Sequence, residues 1–166
     1  MKRFKKKGFT LIELMIVLAI IAILAIVLIP KAGILKTSAK DTGVTTNVNT
    51  VRAFVETKAA DNSYLSDSEM LTQITTKFAG DNNIINPLTK VGTINTNTGY
   101  DITNTNVSYA IVVSNKTASA APTTQDITST TQSNSEGTVF VYVYNNGYVV
   151  FGVNSDKQIV NYTVIK

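Results

Sequence analysis

Neither cysteine nor histidine occurs among the 166 residues of this chain. The absence of cysteine excludes disulfide bonds, so we expect hairpin pairing alone to hold the C-terminus. The absence of histidine excludes Ser-His-Asp triads, histidine general bases and ordinary histidine-ligated metal sites. The sequence also has no recognisable nucleophile with its base and no phosphate-binding loop. We therefore expect a protein that is not an enzyme and that carries no cofactor.

Positive charge is concentrated at one end of the chain. The formal net charge is +4, with 15 cationic and 11 acidic residues, and five of the cations lie within the first seven residues. Without residues 1–8, ten cations face eleven acids, which leaves a net charge of −1 (10 − 11). No basic stripe follows, so we expect no nucleic-acid binding by the folded part. The length allows one domain of modest core beside an apolar N-terminal segment.

A long apolar run extends from Phe9 to Ile29 and contains 21 residues with a single charge, Glu13. At 1.5 Å per residue, the run is long enough to cross roughly 30 Å of hydrocarbon. The lysines before it predict a cytoplasmic N-terminus and an outward-facing remainder. A secretory signal peptide is a poor alternative, because its apolar stretch spans only about 7 to 15 residues. A simple membrane anchor does not explain Glu13, since a carboxylate at mid-membrane costs about 2.5 kcal/mol or more.

Glu13 is explained if a new charge forms beside it. Cleavage between Gly8 and Phe9 would place an α-amino group one helical turn from the carboxylate, and the two groups could neutralise each other. In a parallel stack of identical helices, the Phe9 amine of one copy could instead meet Glu13 of a neighbour. Such a pair sets the axial register of packing rather than adding much net stability. Glu13 therefore indicates assembly and not catalysis.

The stretch KKKGFTLIELMIVLAIIAILAIVLIP resembles the prepilin signature of type IV pilins and of their relatives, the pseudopilins of type II secretion and the competence pilins. The resemblance rests on a short basic leader, Gly8, Phe9, the acid Glu13, an unbroken apolar run and Pro30. It covers only the part of the chain up to Pro30. It implies removal of the leader (residues 1–8) by a prepilin peptidase, N-methylation of Phe9 and an assembly role for Glu13.

The resemblance also implies partners and a location. The subunit would be stored as a single-pass protein of the cytoplasmic membrane, with its N-terminus inside, and then extracted into a helical filament of identical subunits at the cell surface. Its partners would be the prepilin peptidase and N-methyltransferase and an inner-membrane assembly platform with an assembly ATPase. Two functions stay open: a type IV pilus subunit for adhesion, motility or aggregation, or a pseudopilin or minor pilin of a type II secretion or DNA-uptake machine.

The segments after the leader predict an α+β fold, and the resemblance implies that this is the type IV pilin fold, in which the hydrophobic half of a long N-terminal helix protrudes. Residues 9–30 would form the transmembrane and filament-core helix, and Pro30 should kink it by removing an amide donor. Residues 31–60 continue the helix with an apolar stripe at spacings of four, three, four and four. The stripe consists of Val44, Val48, Val51, Val55 and Ala59.

Residues 61–107 predict a variable loop region with one short helix, introduced by a capping-box pattern of Ser66 and Glu69. Residues 108–166 predict a head that contains an antiparallel sheet of about four strands. The strand-like runs are residues 108–114, 138–145, 148–154 and 158–165. Asn146-Gly147 predicts a type I′ hairpin between the second run and the third.

The run TVFVYVYN alternates aliphatic and aromatic side chains. We expect its aliphatic face to cover the apolar stripe of the helix. The aromatic face should lie on the outside of the sheet, with ligand binding or subunit contact as the alternative role of its tyrosines. Residues 115–137 are polar and of low complexity, which predicts a mobile, exposed loop. Asp81 with its neighbouring asparagines falls short of a calcium cage, so we expect no metal site.

Overall fold

One long helix, α1 (Leu11–Ala60), forms the N-terminal part of the chain. The computed structural model describes residues 8–61, 64–97, 108–114, 119–128 and 135–166. It divides into two units, Met1–Ser38 and Ala39–Lys166, which we call the N-terminal unit and the C-terminal unit. The predicted helix from Phe9 to Ala60 is confirmed, with a start two residues later. Position 30 lies within α1, and the kink at Pro30 stays a prediction.

The second helix, α2 (Asp67–Lys77), begins at the predicted capping box. The Glu69 amide donates to the Ser66 hydroxyl oxygen at 3.3 Å, and the Ser66 amide donates back to the Glu69 carboxylate at 2.8 Å. Each bond satisfies an amide at the helix start that has no partner within the helix. The bond from the Ser66 amide, followed by the one from the Ser66 hydroxyl, lowers the pKa of Glu69.

The described part of the C-terminal unit also contains a sheet of five strands, with the strands in chain order across the sheet. The four predicted strands are present, and a further short strand precedes them at one edge. The strands are β1 (Ile94–Asn97), β2 (Ile111–Ser114), β3 (Val139–Tyr144), β4 (Gly147–Val153) and β5 (Ile159–Ile165). The α+β fold class is therefore confirmed.

The sheet is mixed, so the prediction of a purely antiparallel sheet is wrong for one half of it. β3, β4 and β5 pair antiparallel, whereas β1 with β2 and β2 with β3 pair parallel. A parallel pair needs a crossover connection of about a dozen residues or more. Residues 115–138, between β2 and β3, are long enough for one and include the short helix α3 (Thr124–Thr128).

The hairpin between β3 and β4 is present, but its turn differs from the prediction. Tyr144 pairs with Gly147, so the two loop residues are Asn145 and Asn146. A type I′ turn needs positive φ at both loop residues. The described non-glycine residues with positive φ are Lys90, Lys157 and Asn161, which excludes type I′ here. Gly147 itself has a φ of 156° and starts β4.

The aliphatic face of the sheet packs on the apolar stripe of α1, as the alternation in β3 predicts. The four valines of the stripe are fully buried, and Ala59 packs against the same cluster partly buried. Val139 and Val141 of β3, Val150 of β4, and Met70 and Ile74 of α2 complete much of this cluster. Packing thus supplies the order that a helix rich in threonine and asparagine lacks by propensity.

The aromatic face of the sheet forms a second core, which the sequence did not predict. Phe140 stacks on Phe151 with ring centroids 5.0 Å apart, and Tyr142 is fully buried. The segment that contains α3 covers this face: Ile127 is fully buried in it, and the Tyr162 hydroxyl donates to the Pro122 carbonyl. The prediction of an exposed aromatic face is therefore wrong, and so is that of an exposed loop for Pro122 and Ile127; residues 115–118 and 129–134 of that loop lie outside the described residues. The two errors have one cause, because the segment that contains α3 and the aromatic face of the sheet bury each other.

Candidate functional site

The N-terminal unit exposes an apolar helical surface. Within α1, Leu11–Leu28 is long and apolar enough to cross a membrane, and none of it is buried. These 18 residues span about 27 Å at 1.5 Å per residue. Phe9, just before the helix, has 85% of its surface exposed. A continuous apolar surface of this extent marks a site of contact with lipid or with other protein chains.

Glu13 lies in the first turn of α1 and caps that turn. Its Oε2 accepts a hydrogen bond from the Thr10 amide at 2.8 Å and another from the Thr10 hydroxyl at 2.7 Å. The Glu13 amide donates to the Thr10 hydroxyl oxygen at 3.3 Å, and the Leu14 amide to the Thr10 carbonyl at 3.3 Å. Thr10 and Glu13 therefore form a capping box, which places the start of the helix at Leu11.

Thr10 is a site residue that the sequence analysis missed, although the signal was present. Thr10-x-x-Glu13 has the same spacing as Ser66-x-x-Glu69, and both pairs form the same reciprocal bonds. The charge that cleavage would create gives one interpretation of Glu13. Its helix-capping role is separate from that interpretation and exists in the uncut chain.

Gly8 and Phe9 precede the helix and are exposed. A Cβ built on Gly8 would meet no heavy atom within 4 Å beyond its chain neighbours, so contacts of the described chain do not require glycine there. In the uncut chain the Phe9 nitrogen is part of a peptide bond, and the hydrogen bonds described for Glu13 go to Thr10. The pairing of a Phe9 amine with Glu13, and the roles predicted for both residues, stay predictions.

The described residues of the C-terminal unit supply no second candidate site. In the described ranges, no group of three or more histidine, cysteine, aspartate or glutamate residues is placed to hold a metal ion. Asp81 lies in an exposed 3-10 turn, Gly80–Asn82. Burial raises the pKa of Tyr144 and of Tyr148, and the Tyr148 hydroxyl accepts a bond from the Leu65 amide at 2.6 Å. These tyrosines belong to the packed interior.

An α+β fold with a long, apolar N-terminal helix thus carries a capped carboxylate at the start of that helix. In a comparison with known protein families, residues 3–29 match the family described as the prokaryotic N-terminal methylation motif. PilA4 of Thermus thermophilus, described as a type IV wide pilus major component, is 51% identical over 69 residues. No solved structure matches the chain.

The match to PilA4 covers 41% of this chain and 53% of PilA4, so the chain spans about half the length of the curated relative it matches. The methylation motif and this identity together support a type IV pilin. A pilin is a structural subunit and not an enzyme, in agreement with the expectation from the sequence. The long helix followed by a sheet is consistent with the type IV pilin fold.

Proposed function

We propose that the protein is a subunit of a type IV pilus and that it polymerises through the N-terminal part of α1. The observation that carries this proposal is the exposed apolar helix surface of Leu11–Leu28 with Glu13 in its first turn. Such a surface needs lipid before assembly and neighbouring helices after it. The name of PilA4, a major component of a pilus, supports a pilus subunit. The role that we propose for the filament is adhesion, motility or aggregation.

The proposed processing step is hydrolysis of the peptide bond between Gly8 and Phe9 by a prepilin peptidase. Water adds across the bond, which leaves a carboxylate on Gly8 and a free amine on Phe9. The amine then takes a methyl group from a sulfonium methyl donor, which leaves as a thioether while the amine loses a proton. The matched methylation motif includes both residues, and both lie outside the helix, where a peptidase can reach the bond. Contacts of the described chain do not require glycine at position 8, and this favours recognition of Gly8 by another protein.

The proposed assembly contact joins Glu13 of one copy to the Phe9 amine of a neighbour. The capping bonds from Thr10 both reach Oε2 of Glu13, and in the described part of the chain Oε1 accepts no hydrogen bond. The carboxylate can therefore keep its cap and still accept a bond from an amine. An unpaired charge in an apolar environment is costly. The packing register that places the amine of one copy beside Glu13 of its neighbour is therefore favoured over other registers.

The proposed location before assembly is the cytoplasmic membrane, with the lysine-rich leader inside and the C-terminal unit outside. A peptidase that also methylates, and an inner-membrane platform with an assembly ATPase, would then process the subunit and extract it into the filament. The apolar length of Leu11–Leu28 supports the membrane stage of this sequence.

The test replaces Glu13 with glutamine and with valine in cells that make filaments of this protein. Glu13→Gln keeps a capping oxygen but removes the charge, and Glu13→Val also raises the hydrophobicity of the segment. Both variants should insert in the membrane but yield few filaments, measured by sheared-fibre yield against the membrane-bound pool. Glu69→Gln is the matched control, because it changes the same capping position in α2, and its filament yield should be unchanged. Normal filaments from either Glu13 variant would refute the proposed contact.

A further inference from the structure

A carboxylate in the interior of α1 binds the turn between β4 and β5. Oδ1 of Asp41 accepts a hydrogen bond from the Ser155 amide at 2.9 Å, and Oδ2 accepts one from the Ser155 hydroxyl at 2.8 Å. Both residues are half-buried. Aspartate is a poor residue for a helix interior, so local propensity does not explain Asp41. Hydrogen bonds to a charged group are roughly twice as strong as neutral ones, and two of them meet on this carboxylate.

The turn that contains Ser155 is itself held in place. The side chain of Asn154 accepts hydrogen bonds from two amides of the same turn, at 3.0 and 2.8 Å. Nζ of Lys157 lies 3.5 Å from Oε1 of Glu136, in the segment before β3. Asp41 is therefore bonded to a fixed point at one end of the sheet.

α1 and β5 run in the same direction along their contact. Asp41 meets the turn just before β5, and further along both elements the Asn161 side chain donates to Oδ1 of Asn49 at 3.2 Å. The part of α1 that belongs to the C-terminal unit begins at Ala39, just before Asp41. A pull on the N-terminal part of α1 therefore draws the helix along the sheet, and Asp41 lies at the end where the pull arrives.

The contacts between α1 and the sheet respond to such a pull in two ways. The buried valines of the stripe form apolar contacts, which have no preferred direction and persist during a small displacement. A hydrogen bond is lost when its atoms separate beyond about 3.5 Å, so a slide of about 1 Å breaks the bonds of Asp41. Any sliding of α1 along the sheet must therefore break these bonds at its start.

We propose that Asp41 and Ser155 form a clamp, which keeps α1 in register with the sheet when tension acts between the N-terminal helix and the C-terminal unit. This inference rests on the proposed function, because such tension arises in a filament whose subunits are held by the N-terminal part of α1. The clamp resists the start of sliding, and the valine stripe resists the complete removal of the helix. The C-terminal unit thus keeps its fold while the filament is pulled.

The test stretches single molecules of the full chain in detergent micelles at constant force and measures the lifetime before unfolding. Because the chain contains no cysteine, two introduced cysteines define the points of attachment. Attachment through Ala39→Cys and Lys166→Cys, both at exposed positions, applies tension along the contact of α1 with β5. Attachment through Asp61→Cys and Lys166→Cys applies tension beyond the other end of α1, away from the clamp.

Two variants remove the clamp to different extents. Asp41→Ala removes both hydrogen bonds, whereas Ser155→Ala removes the hydroxyl bond and keeps the amide bond. With attachment at 39 and 166, we expect Ser155→Ala to shorten the lifetime about tenfold, the factor that corresponds to one hydrogen bond to a charged group, and Asp41→Ala to shorten it further. With attachment at 61 and 166, both variants should change the lifetime little.

Glu56→Gln is the matched control, because it removes a carboxylate of α1 whose ion pair, with Arg52 at 3.4 Å, lies within the same helix. Its lifetime should equal that of the native side chain in both geometries. An unchanged lifetime of the clamp variants under tension along the contact would overturn the proposal.

An equal loss of lifetime in both geometries would overturn it as well, because the pair would then contribute only general stability. Should Asp41→Ala fold poorly, Ser155→Ala alone decides by the same criteria. The measurement needs no filament, so its outcome is independent of the proposed function, which the filament yield of the Glu13 variants tests.

Discussion

Replacement of Gly152 by alanine should destabilise the C-terminal unit by about 1–2 kcal/mol. Gly152 lies on β4 where α1 crosses it, and a Cβ built there lies 2.5 Å from Cγ2 of Val48 and 3.0 Å from Cγ1 of Val44. Carbon atoms in contact are normally about 3.5–4.0 Å apart, so the nearer pair must separate by about 1 Å. Val48 is fully buried, and its β-branched side chain has one strongly preferred rotamer in a helix, so it cannot turn away.

The magnitude follows from two opposing effects. Extra volume in a packed core lowers the free energy of unfolding by about 1–3 kcal/mol. Alanine also restricts the unfolded chain more than glycine does, which raises the free energy of unfolding by about 0.4–1 kcal/mol. The assay is urea unfolding of the full chain in detergent micelles, followed by the near-ultraviolet circular dichroism of the tyrosines. Gly33→Ala is the control, because its Cβ meets nothing within 4 Å and it should cause no loss. An unchanged or raised stability of Gly152→Ala would refute the close approach of α1 and β4.

Three further predictions concern the second core and the two capping boxes. Ile127→Ala should lower the free energy of unfolding by about 2–5 kcal/mol, because its buried side chain covers the aromatic face; a loss under 1 kcal/mol in the same urea assay would contradict this. The pKa of Glu69 is lower in the folded chain than in the unfolded chain, so its contribution to stability is present above the unfolded pKa and lost as the pH falls through the folded pKa. Amide exchange at the start of α2 should accelerate over that acidic range, and Glu69→Gln should remove this pH dependence; an unaltered profile would refute it. Thr10→Val should speed amide exchange in the first turn of α1 in micelles, whereas Thr10→Ser should not, and equal rates would show that the cap adds no order.

Features with local sequence signals were predictable. The apolar run, the valine stripe and the Ser66–Glu69 pattern each lie within a few turns of one helix, and helix geometry alone relates them to structure. The strand runs were predictable for the same reason, because alternation over a few residues is enough to identify them. Thr10 belongs to this class as well, and its cap could have been predicted from its spacing to Glu13.

Features that depend on distant segments were not predictable. The parallel pairing of β2 with β3, and the burial of Phe140 and Tyr142 beneath Ile127, depend on where a polar segment returns to the sheet. Asn86 is a further case. It is fully buried, and its side-chain amide donates to the carbonyls of Tyr109 and Glu136 at 2.9 Å each. No local pattern marks an asparagine as the residue that joins three segments, because its partners are 23 and 50 residues away.

In the β3–β4 hairpin, the Asn-Gly pair lies one position further along the turn than a type I′ turn requires. Asn-Gly pairs favour type I′ turns, but glycine is also favoured at the last position of a type I turn. The pairing of Tyr144 with Gly147 places the glycine at that last position. The neighbouring strand explains why position 147 is a glycine, since a Cβ there would overlap the backbone carbonyl oxygen of Ile165 and also lie 2.7 Å from the Tyr144 hydroxyl oxygen.

The intact mass of the protein purified from its filaments or membranes is the most direct test of the central claim. The account predicts a mature chain that begins at Phe9 and carries one added methyl group on its N-terminus, with residues 1–8 removed. Fragmentation of the N-terminal peptide would locate the methyl group on the Phe9 nitrogen. A chain that retains Met1, or one cut beyond Pro30, would contradict the account.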